Sequence, residues 1–166
     1  TKSNFQEVIS NHKPAMIWIE SPTNPLLKII NIEEICQFSN KLQIPVVVDN
    51  TFATPLLQKP LKLGATLSLT STTKYINGHS DALGGAVCTE SNVWRDKLNF
   101  AQKALGLNPS PFDCWLITRG IKTLPLRLDK QINNASKIAN QLADNPAVKL
   151  VRYPFRSDHP QRELAQ

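Results

Sequence analysis

The stretch SLTSTTKYINGHSDALGG, residues 68–85, sets one lysine among side chains that could assist chemistry. Lys74 follows hydroxyl residues that include Ser71 and Thr73, and a turn rich in glycine and aspartate comes after it. A lysine amine can attack an aldehyde, and neighbouring hydroxyls can donate hydrogen bonds to an anion. A lysine on a loop is most often a solvated charge. Three interpretations of Lys74 therefore stand at this point: nucleophile, anion ligand or surface charge.

Two further polar residues stand where predicted strands end. Asn24 lies in the loop after the apolar run at 16–19, and Asp49 directly follows PVVV at 45–48. Ligands of open parallel sheets bind beyond the carboxyl ends of the strands. We therefore expect both residues to lie near Lys74 at one edge of a sheet.

This combination of side chains is typical of a site for pyridoxal 5'-phosphate (PLP). Lys74 could form a Schiff base with the cofactor aldehyde. Asp49 could keep the pyridine nitrogen protonated, so that the ring acts as an electron sink. Ser71 and Thr73 could bind the phosphate, and Asn24 could donate a hydrogen bond to the phenolic oxygen.

A different enzyme class shares part of the lysine motif. Ser71-x-x-Lys74 matches the SxxK of penicillin-binding proteins and class A β-lactamases, in which the serine is the nucleophile. Those enzymes also carry SDN and KTG motifs. This chain has SDA from Ser80 and no KTG, so the four-residue match is not expected to reflect that chemistry.

The apolar pattern predicts an α/β fold. Strands are predicted at 16–19, 45–48, 66–69, 84–89 and 148–153, and helices from Asn31, at 55–63, at 91–105 and over 112–143 with interruptions at Gly120 and Pro125. The last residues, HPQRELAQ, predict the start of another helix. Continuous apolar strands that alternate with helices favour a mostly parallel sheet flanked by helices.

The composition narrows the class of protein. The 166 residues are 41% hydrophobic and 19% charged, as in a globular domain with a real core. The net charge of +6 is dispersed and includes no tight basic run, so no nucleic-acid partner is predicted. No apolar run is long enough to cross a bilayer, so no membrane partner is predicted either.

The cysteines are odd in number and far apart, at positions 36, 88 and 114. Their spacing predicts neither a zinc site nor a disulfide framework, and no other metal site is predicted. We expect each thiol to pack as a small apolar group in a reducing compartment, which indicates the cytoplasm.

Four segments together resemble the Cys/Met-metabolism PLP enzymes: ESPTNPLLKIINI, VVVDNTFATPLLQKPLKLGA, STTKYINGHSDALGGAV and SPFDCWLITRGIKTL. That family holds cystathionine γ-synthase, γ-lyase and β-lyase, methionine γ-lyase and the O-acetylhomoserine sulfhydrylases. The segments SPTNPLLK, NGHSD, SPFDCWL and HPQRELA favour the γ-synthase and γ-lyase branch.

The resemblance implies the aspartate-aminotransferase-like fold (fold type I). Residues 1–121 would form the later part of the PLP-binding large domain. Residues 122–166 would form the first helix and strand of a smaller α/β C-terminal domain. The family's Gly-rich phosphate turn and ring-stacking tyrosine would precede this stretch, and its substrate-binding arginine would follow it. The sequence is therefore expected to be the middle of a longer enzyme.

The resemblance also implies roles for individual residues. Lys74 resembles the cofactor lysine and later proton shuttle, and Asp49 the partner of the pyridine nitrogen. Ser71 and Thr73 resemble the phosphate ligands, and Asn24 the residue near the phenolic oxygen and the substrate carboxylate. The amino-acid substrate would bind in a homo-oligomer, a tetramer of two active dimers, whose neighbouring subunit adds a tyrosine and an arginine to the phosphate site.

The sequence departs from the family pattern at two positions. Thr66 stands where the family usually has aspartate, and Thr70 where it often has histidine or tyrosine. Both lie on the predicted third strand, so we expect them to alter local packing more than chemistry. His79 belongs to the lysine signature and is expected to be structural. A catalytically silent binding or assembly module is the non-enzyme alternative.

Overall fold

A computed structural model describes residues 5–166, so residues 1–4 of the predicted large domain lie outside the described part. Its four-stranded sheet has the order β1-β2-β3-β4. The strands are β1 (Ile17–Glu20), β2 (Val46–Asp49), β3 (Leu67–Ser71) and β4 (Gly85–Cys88). The first three are parallel and β4 runs antiparallel to β3. The prediction of a mostly parallel sheet is therefore confirmed.

Seven α-helices accompany the sheet among the described residues. They are α1 (Phe5–His12), α2 (Ile32–Lys41), α3 (Thr54–Leu57), α4 (Asn92–Leu105), α5 (Pro111–Ile121), α6 (Leu124–Ala143) and α7 (Arg162–Ala165). Three begin at side-chain caps, because the oxygens of Asn31, Ser91 and Ser110 accept hydrogen bonds from backbone N–H groups three residues later. The predicted start at Asn31 and the predicted break near Gly120 are confirmed.

The predicted helix over 55–63 is two shorter pieces. α3 is followed by a 3-10 turn at Pro60–Leu63, and Gln58 between them is extended. A proline disfavours helical backbone at the residue before it, and Lys59 adopts a φ of −120° and ψ of 79°. Gly64 ends the second piece with a φ of +91°, a conformation that glycine adopts without steric cost.

A second hydrophobic cluster joins Ile76 to Leu124 and Leu128 of α6, and the larger one lies between the sheet and α2. It joins Ile32, Ile35 and Cys36 of the helix to Val46 and Val48 of β2, with Ala65 beside them. Val47 points to the other face of the sheet and is buried there too. Burial on both faces is what a central parallel strand requires, and it fixes the carboxyl end of β2 at the centre of the sheet edge.

Two expectations about strands are wrong. Residues 148–153 form no strand, because no neighbouring strand of the described chain offers them hydrogen-bond partners. β1 is not fully buried: it pairs only with β2, and the Trp18 side chain is 60% exposed.

The expectation that all three cysteines are packed inside is correct only for Cys36. Cys88 and Cys114 are exposed, and all three thiols are free. None of the helices among residues 5–166 is long and apolar enough to cross a membrane.

Candidate active site

A cavity of about 1080 Å³ lies at the carboxyl ends of the three parallel strands. All five residues singled out from the sequence line it: Asn24, Asp49, Ser71, Thr73 and Lys74. They come from the carboxyl ends of β2 and β3 and from the segments that follow β1 and β3, as expected for a ligand site of an open α/β sheet. The roles assigned to these residues remain predictions.

Asp49 is the last residue of β2. Its Oδ1 atom accepts a hydrogen bond from the backbone N–H of Thr51 at 3.0 Å. Among the described residues, no donor is paired with its second carboxylate oxygen. Asp49 can therefore still accept a hydrogen bond from a cationic ligand in the cavity.

A pair of amide side chains, Asn50 and Gln58, connects the loop after β1 to the loop after β2. Asn50 is 1% exposed, and its Nδ2 donates to the Gln58 carbonyl at 2.9 Å. Gln58 Nε2 donates to Asn50 Oδ1 at 2.8 Å and to the Ser21 carbonyl at 2.9 Å. The Asn24 N–H adds a hydrogen bond to Glu20 Oε2 at 3.0 Å. These bonds connect the backbone that carries Asn24 to the backbone that carries Asp49.

Lys74 lies at a kink, with a φ of −88° and a ψ of −116°, in the short helical turn Thr72–Ile76 that directly follows β3. The Asn77 N–H donates to the Thr72 carbonyl at 2.9 Å, and the Gly78 N–H donates to the Lys74 carbonyl at 2.8 Å. The Lys74 side chain is exposed, and no described residue forms an ion pair or hydrogen bond with its amine. Its Nζ is thus available to a ligand.

The two candidate phosphate hydroxyls differ in their availability. Thr73 Oγ1 donates to the Gly84 carbonyl at 3.3 Å and accepts from the Gly84 N–H at 2.9 Å. A threonine hydroxyl has one proton, so Thr73 can donate to a ligand only by releasing Gly84. Ser71 donates its backbone N–H to Thr51 Oγ1 at 2.9 Å, whereas its hydroxyl has no partner among the described residues. Ser71 is the better-prepared donor.

Thr66 and His79 have structural contacts in this chain. Thr66 Oγ1 accepts from the Val46 N–H at 3.0 Å, and the Thr66 carbonyl accepts from Thr89 Oγ1 at 2.8 Å. His79 Nδ1 lies 2.7 Å from the Asn77 carbonyl, and His79 does not line the cavity. The contacts of Thr66 agree with an effect on packing, and those of His79 with a structural role.

Several other residues that line the cavity carried no predicted role. They include Glu20, Thr51, Phe52, Tyr75 and Asp113. Glu20 ends β1 in register with Asp49, so the strand-end pattern that identified Asp49 could also have identified it. Asp113 comes from the first turn of α5, and no local sequence signal places that helix at the cavity.

The chemical groups of the cavity fit PLP. They comprise a free amine, a carboxylate oxygen with room for a donor, a free hydroxyl and an exposed amide. An aldehyde, a protonated ring nitrogen, a phosphate and a phenolic oxygen each find a complementary group in this set. Within residues 5–166 no three His, Cys, Asp or Glu side chains group as metal ligands would.

Comparison with known proteins assigns the family. The sequence model of the Cys/Met metabolism PLP-dependent enzymes matches residues 1–166. The chain belongs to this family. It is 49% identical over 151 residues to a probable cystathionine gamma-synthase of Herpetosiphon aurantiacus, covering 91% of this chain and 47% of the relative. It is 44% identical over 167 residues to the cystathionine gamma-lyase of Sus scrofa, covering 100% and 41%.

Solved structures of family members share the fold. Cystathionine gamma synthase from Xanthomonas oryzae pv. oryzae, in complex with aminoacrylate and cysteine, superposes with a TM-score of 0.95 at 42% identity, over 98% of this chain and 42% of that one. Apo CalE6, a methionine gamma lyase from Micromonospora echinospora, gives 0.89 at 42% identity, over 91% and 42%. The predicted fold type I class is confirmed. The chain spans less than half the length of the relatives it matches.

Proposed function

We propose that the whole protein is a PLP-dependent enzyme of sulfur amino-acid metabolism, either a cystathionine γ-synthase or a cystathionine γ-lyase. One observation carries the proposal. The Lys74 amine, the Asp49 carboxylate and the Ser71 hydroxyl, each with unused hydrogen-bonding capacity, line one cavity at the carboxyl ends of parallel strands. The similarity to relatives of both names supports it. In this proposal residues 1–121 belong to the large domain and residues 122–166 to the C-terminal domain.

Different residues of the cavity would bind different chemical groups of the cofactor. Lys74 would hold the aldehyde, and Asp49 would hold the protonated ring nitrogen. Ser71 would donate to the phosphate, as would Thr73 once it releases Gly84, while Asn24 would donate to the phenolic oxygen. When bound, PLP supplies an electron sink for the carbanion of an amino-acid substrate.

Lys74 and Asp49 would then act on the bound substrate. The Lys74 Nζ atom, as a neutral amine, would take the proton from the substrate Cα and return it later. The Asp49 carboxylate would keep a proton on the ring nitrogen by electrostatic attraction, which a site sheltered from water strengthens. Asn24 would also orient the substrate carboxylate. Lys74, Asp49 and Asn24 all line the cavity.

Product analysis on the whole protein distinguishes the two directions. A synthase would convert an O-acyl-homoserine and cysteine to cystathionine. A lyase would convert cystathionine to cysteine, 2-oxobutyrate and ammonia. Pyruvate from cystathionine, methanethiol from methionine, or homocysteine from O-acetylhomoserine and sulfide would instead identify a β-lyase, a methionine γ-lyase or a sulfhydrylase.

A catalytically silent module is separated from an enzyme by cofactor titration. Whole protein mixed with PLP, reduced with borohydride and digested should carry the label preferentially at Lys74, and Lys74→Ala protein should carry it only on exposed lysines such as Lys62. Absence of label on Lys74 in folded wild-type protein would reject the enzyme and leave the binding module as the better account.

We further propose that the whole protein is a homo-oligomer, with a tetramer as the family expectation. The exposed apolar side chains of α4 and α5 support it, because Phe100, Phe112 and Trp115 are each more than half exposed. Light scattering would test it, and a monomer that retains stoichiometric PLP would contradict it. The three free thiols support the proposed cytoplasmic location.

A further inference from the structure

Arg127, on α6, is bonded to the turn that carries Lys74. Its Nη1 donates to the Tyr75 carbonyl at 2.9 Å, and its Nη2 donates to the Ile76 carbonyl at 3.2 Å and the Gly120 carbonyl at 2.9 Å. Its Nε donates to Thr123 Oγ1 at 3.0 Å. No carboxylate among the described residues forms a salt bridge with it. All four of these hydrogen bonds go to neutral oxygens, and three of them join α6 to backbone carbonyls of the Lys74 turn and of α5.

The two turn carbonyls need such donors. The last carbonyls of a helical turn have no partner within the turn, so they need donors from elsewhere in the chain. Tyr75 and Ile76 directly follow Lys74, so these hydrogen bonds hold the backbone immediately after the reactive lysine. A planar guanidinium reaches several carbonyls at once, whereas an ammonium on a flexible stem does not present donors in a fixed fork.

Two glycines make room for this arrangement. A Cβ atom on Gly78, whose φ is +74°, would lie 2.1 Å from Arg127 Nη1. A Cβ atom on Gly120 would lie 2.2 Å from the Asn77 carbonyl oxygen. The absence of a side chain at Gly78 leaves room for the Arg127 guanidinium, and its absence at Gly120 leaves room for the Asn77 carbonyl.

We propose that Arg127 is a positioning residue for Lys74. By bridging Tyr75, Ile76 and Gly120, it fixes the turn so that the Lys74 amine stays directed into the cavity. Gln131, one helical turn further along α6, lines the same cavity, so α6 borders the site that its arginine supports. What the lysine does there rests on the proposed function, but the mechanical role of Arg127 does not.

The test uses the whole protein with Arg127→Met and Arg127→Lys. Arg95→Met is the control, since the one described ion-pair partner of Arg95 is the neighbouring Asp96 at 3.9 Å. Hydrogen exchange is measured on cofactor-free protein for the peptide covering 72–80. PLP is then added, and borohydride-fixed label on Lys74 is followed over time by peptide mass spectrometry, with the exposed Lys62 as internal reference.

For Arg127→Met we expect exchange in 72–80 to rise, and labelling of Lys74 relative to Lys62 to slow, each on the order of tenfold, since hydrogen bonds from a charged group are lost. Arg127→Lys should recover part of both changes. Exchange in β1 to β3 should stay unchanged, and Arg95→Met should match wild type.

The other possible results distinguish the positioning role of Arg127 from the proposed function of the whole protein. Wild-type exchange and labelling in Arg127→Met would overturn the positioning role while the proposed function stands. Failure of both variants to fold would assign Arg127 to the general fold and also overturn it. If wild type takes no label at Lys74 but exchange still rises in Arg127→Met, the proposed function fails and the positioning role survives.

Discussion

Replacing Gly120 by alanine should destabilise the protein although it removes a glycine from a helix. On helix propensity alone the change would stabilise α5 by about 1 kcal/mol. Here the new Cβ would meet the Asn77 carbonyl oxygen at 2.2 Å and its carbon at 2.9 Å. Both atoms belong to the backbone, so they cannot rotate away as a side chain would. Overpacking of this kind costs typically 1–3 kcal/mol, and so short a contact belongs at the upper end of that range.

The net expectation for Gly120→Ala is a loss of about 2 kcal/mol, the overpacking cost less the helix gain. The strain would fall on Asn77, which is completely buried and whose N–H closes the Lys74 turn. Asn77 Nδ2 also donates to Asp81 Oδ1 at 2.8 Å, and Asp81 lines the cavity. A shift of this backbone would therefore displace Asp81 at the cavity as well as lower the free energy of unfolding.

Urea unfolding of the whole protein measures the effect, with Gly85→Ala as the matched control. A Cβ on Gly85 would have its nearest neighbour, the Thr70 carbonyl oxygen, at 3.8 Å, which is an ordinary contact. The midpoint should fall for Gly120→Ala and stay close to wild type for Gly85→Ala. A midpoint that rises in Gly120→Ala would show that α5 can move away from Asn77 freely, and would refute this account of the packing.

Three further predictions concern single side chains. Lys74→Ala should fold normally and lose about a thousandfold or more of any turnover, because the proton-transferring amine is gone; near-native turnover would rule out the role given to Lys74. Asp49→Asn is nearly isosteric, so circular dichroism should be unchanged while turnover falls more than about tenfold, or 1.4 kcal/mol of barrier; a smaller fall would make Asp49 a turn residue. Burial raises the pKa of the Cys36 thiol from 9.0 to about 11. Below pH 9 a thiol reagent should therefore label Cys88 and Cys114 but spare Cys36 until the protein unfolds. The stability that the neutral Cys36 thiol contributes should be complete below pH 9 and lost as the pH rises from 9 towards 11, because the unfolded thiol ionises first; uniform labelling or a flat pH dependence would contradict its burial.

The sheet and the membership of the cavity could be predicted because both follow from local patterns. Continuous apolar runs identify buried strands, and parallel strands bring their carboxyl ends to one edge, so Asn24, Asp49 and Lys74 could be grouped without a structure. The predicted strand at 148–153 was wrong because a strand needs a neighbour, and a pattern of apolar residues does not say whether one is present.

Contacts between segments that are distant along the chain could not be predicted from the sequence. Arg127 is 51 and 52 residues from the carbonyls it bonds on the Lys74 turn, and nothing in the residues around it indicates that contact. The engagement of Thr73 with Gly84 was missed for a similar reason. Residue type identifies a hydroxyl as a donor, but only the fold shows whether its one proton is already used.

The contact between Arg127 and the Lys74 turn limits how this enzyme family can be recombined. Gly78 lies two residues after the Lys74 turn, whereas Gly120 and Arg127 belong to α5 and α6, which pack against that turn. Each of the three fits only while the others keep their conformation. A chimera that joins the segment up to β4 from one relative to α5 and α6 from another would inherit these residues from two parents. Chimeras with a crossover after β4 should therefore fold only when both parents have this arginine and both glycines. The three positions must be inherited together.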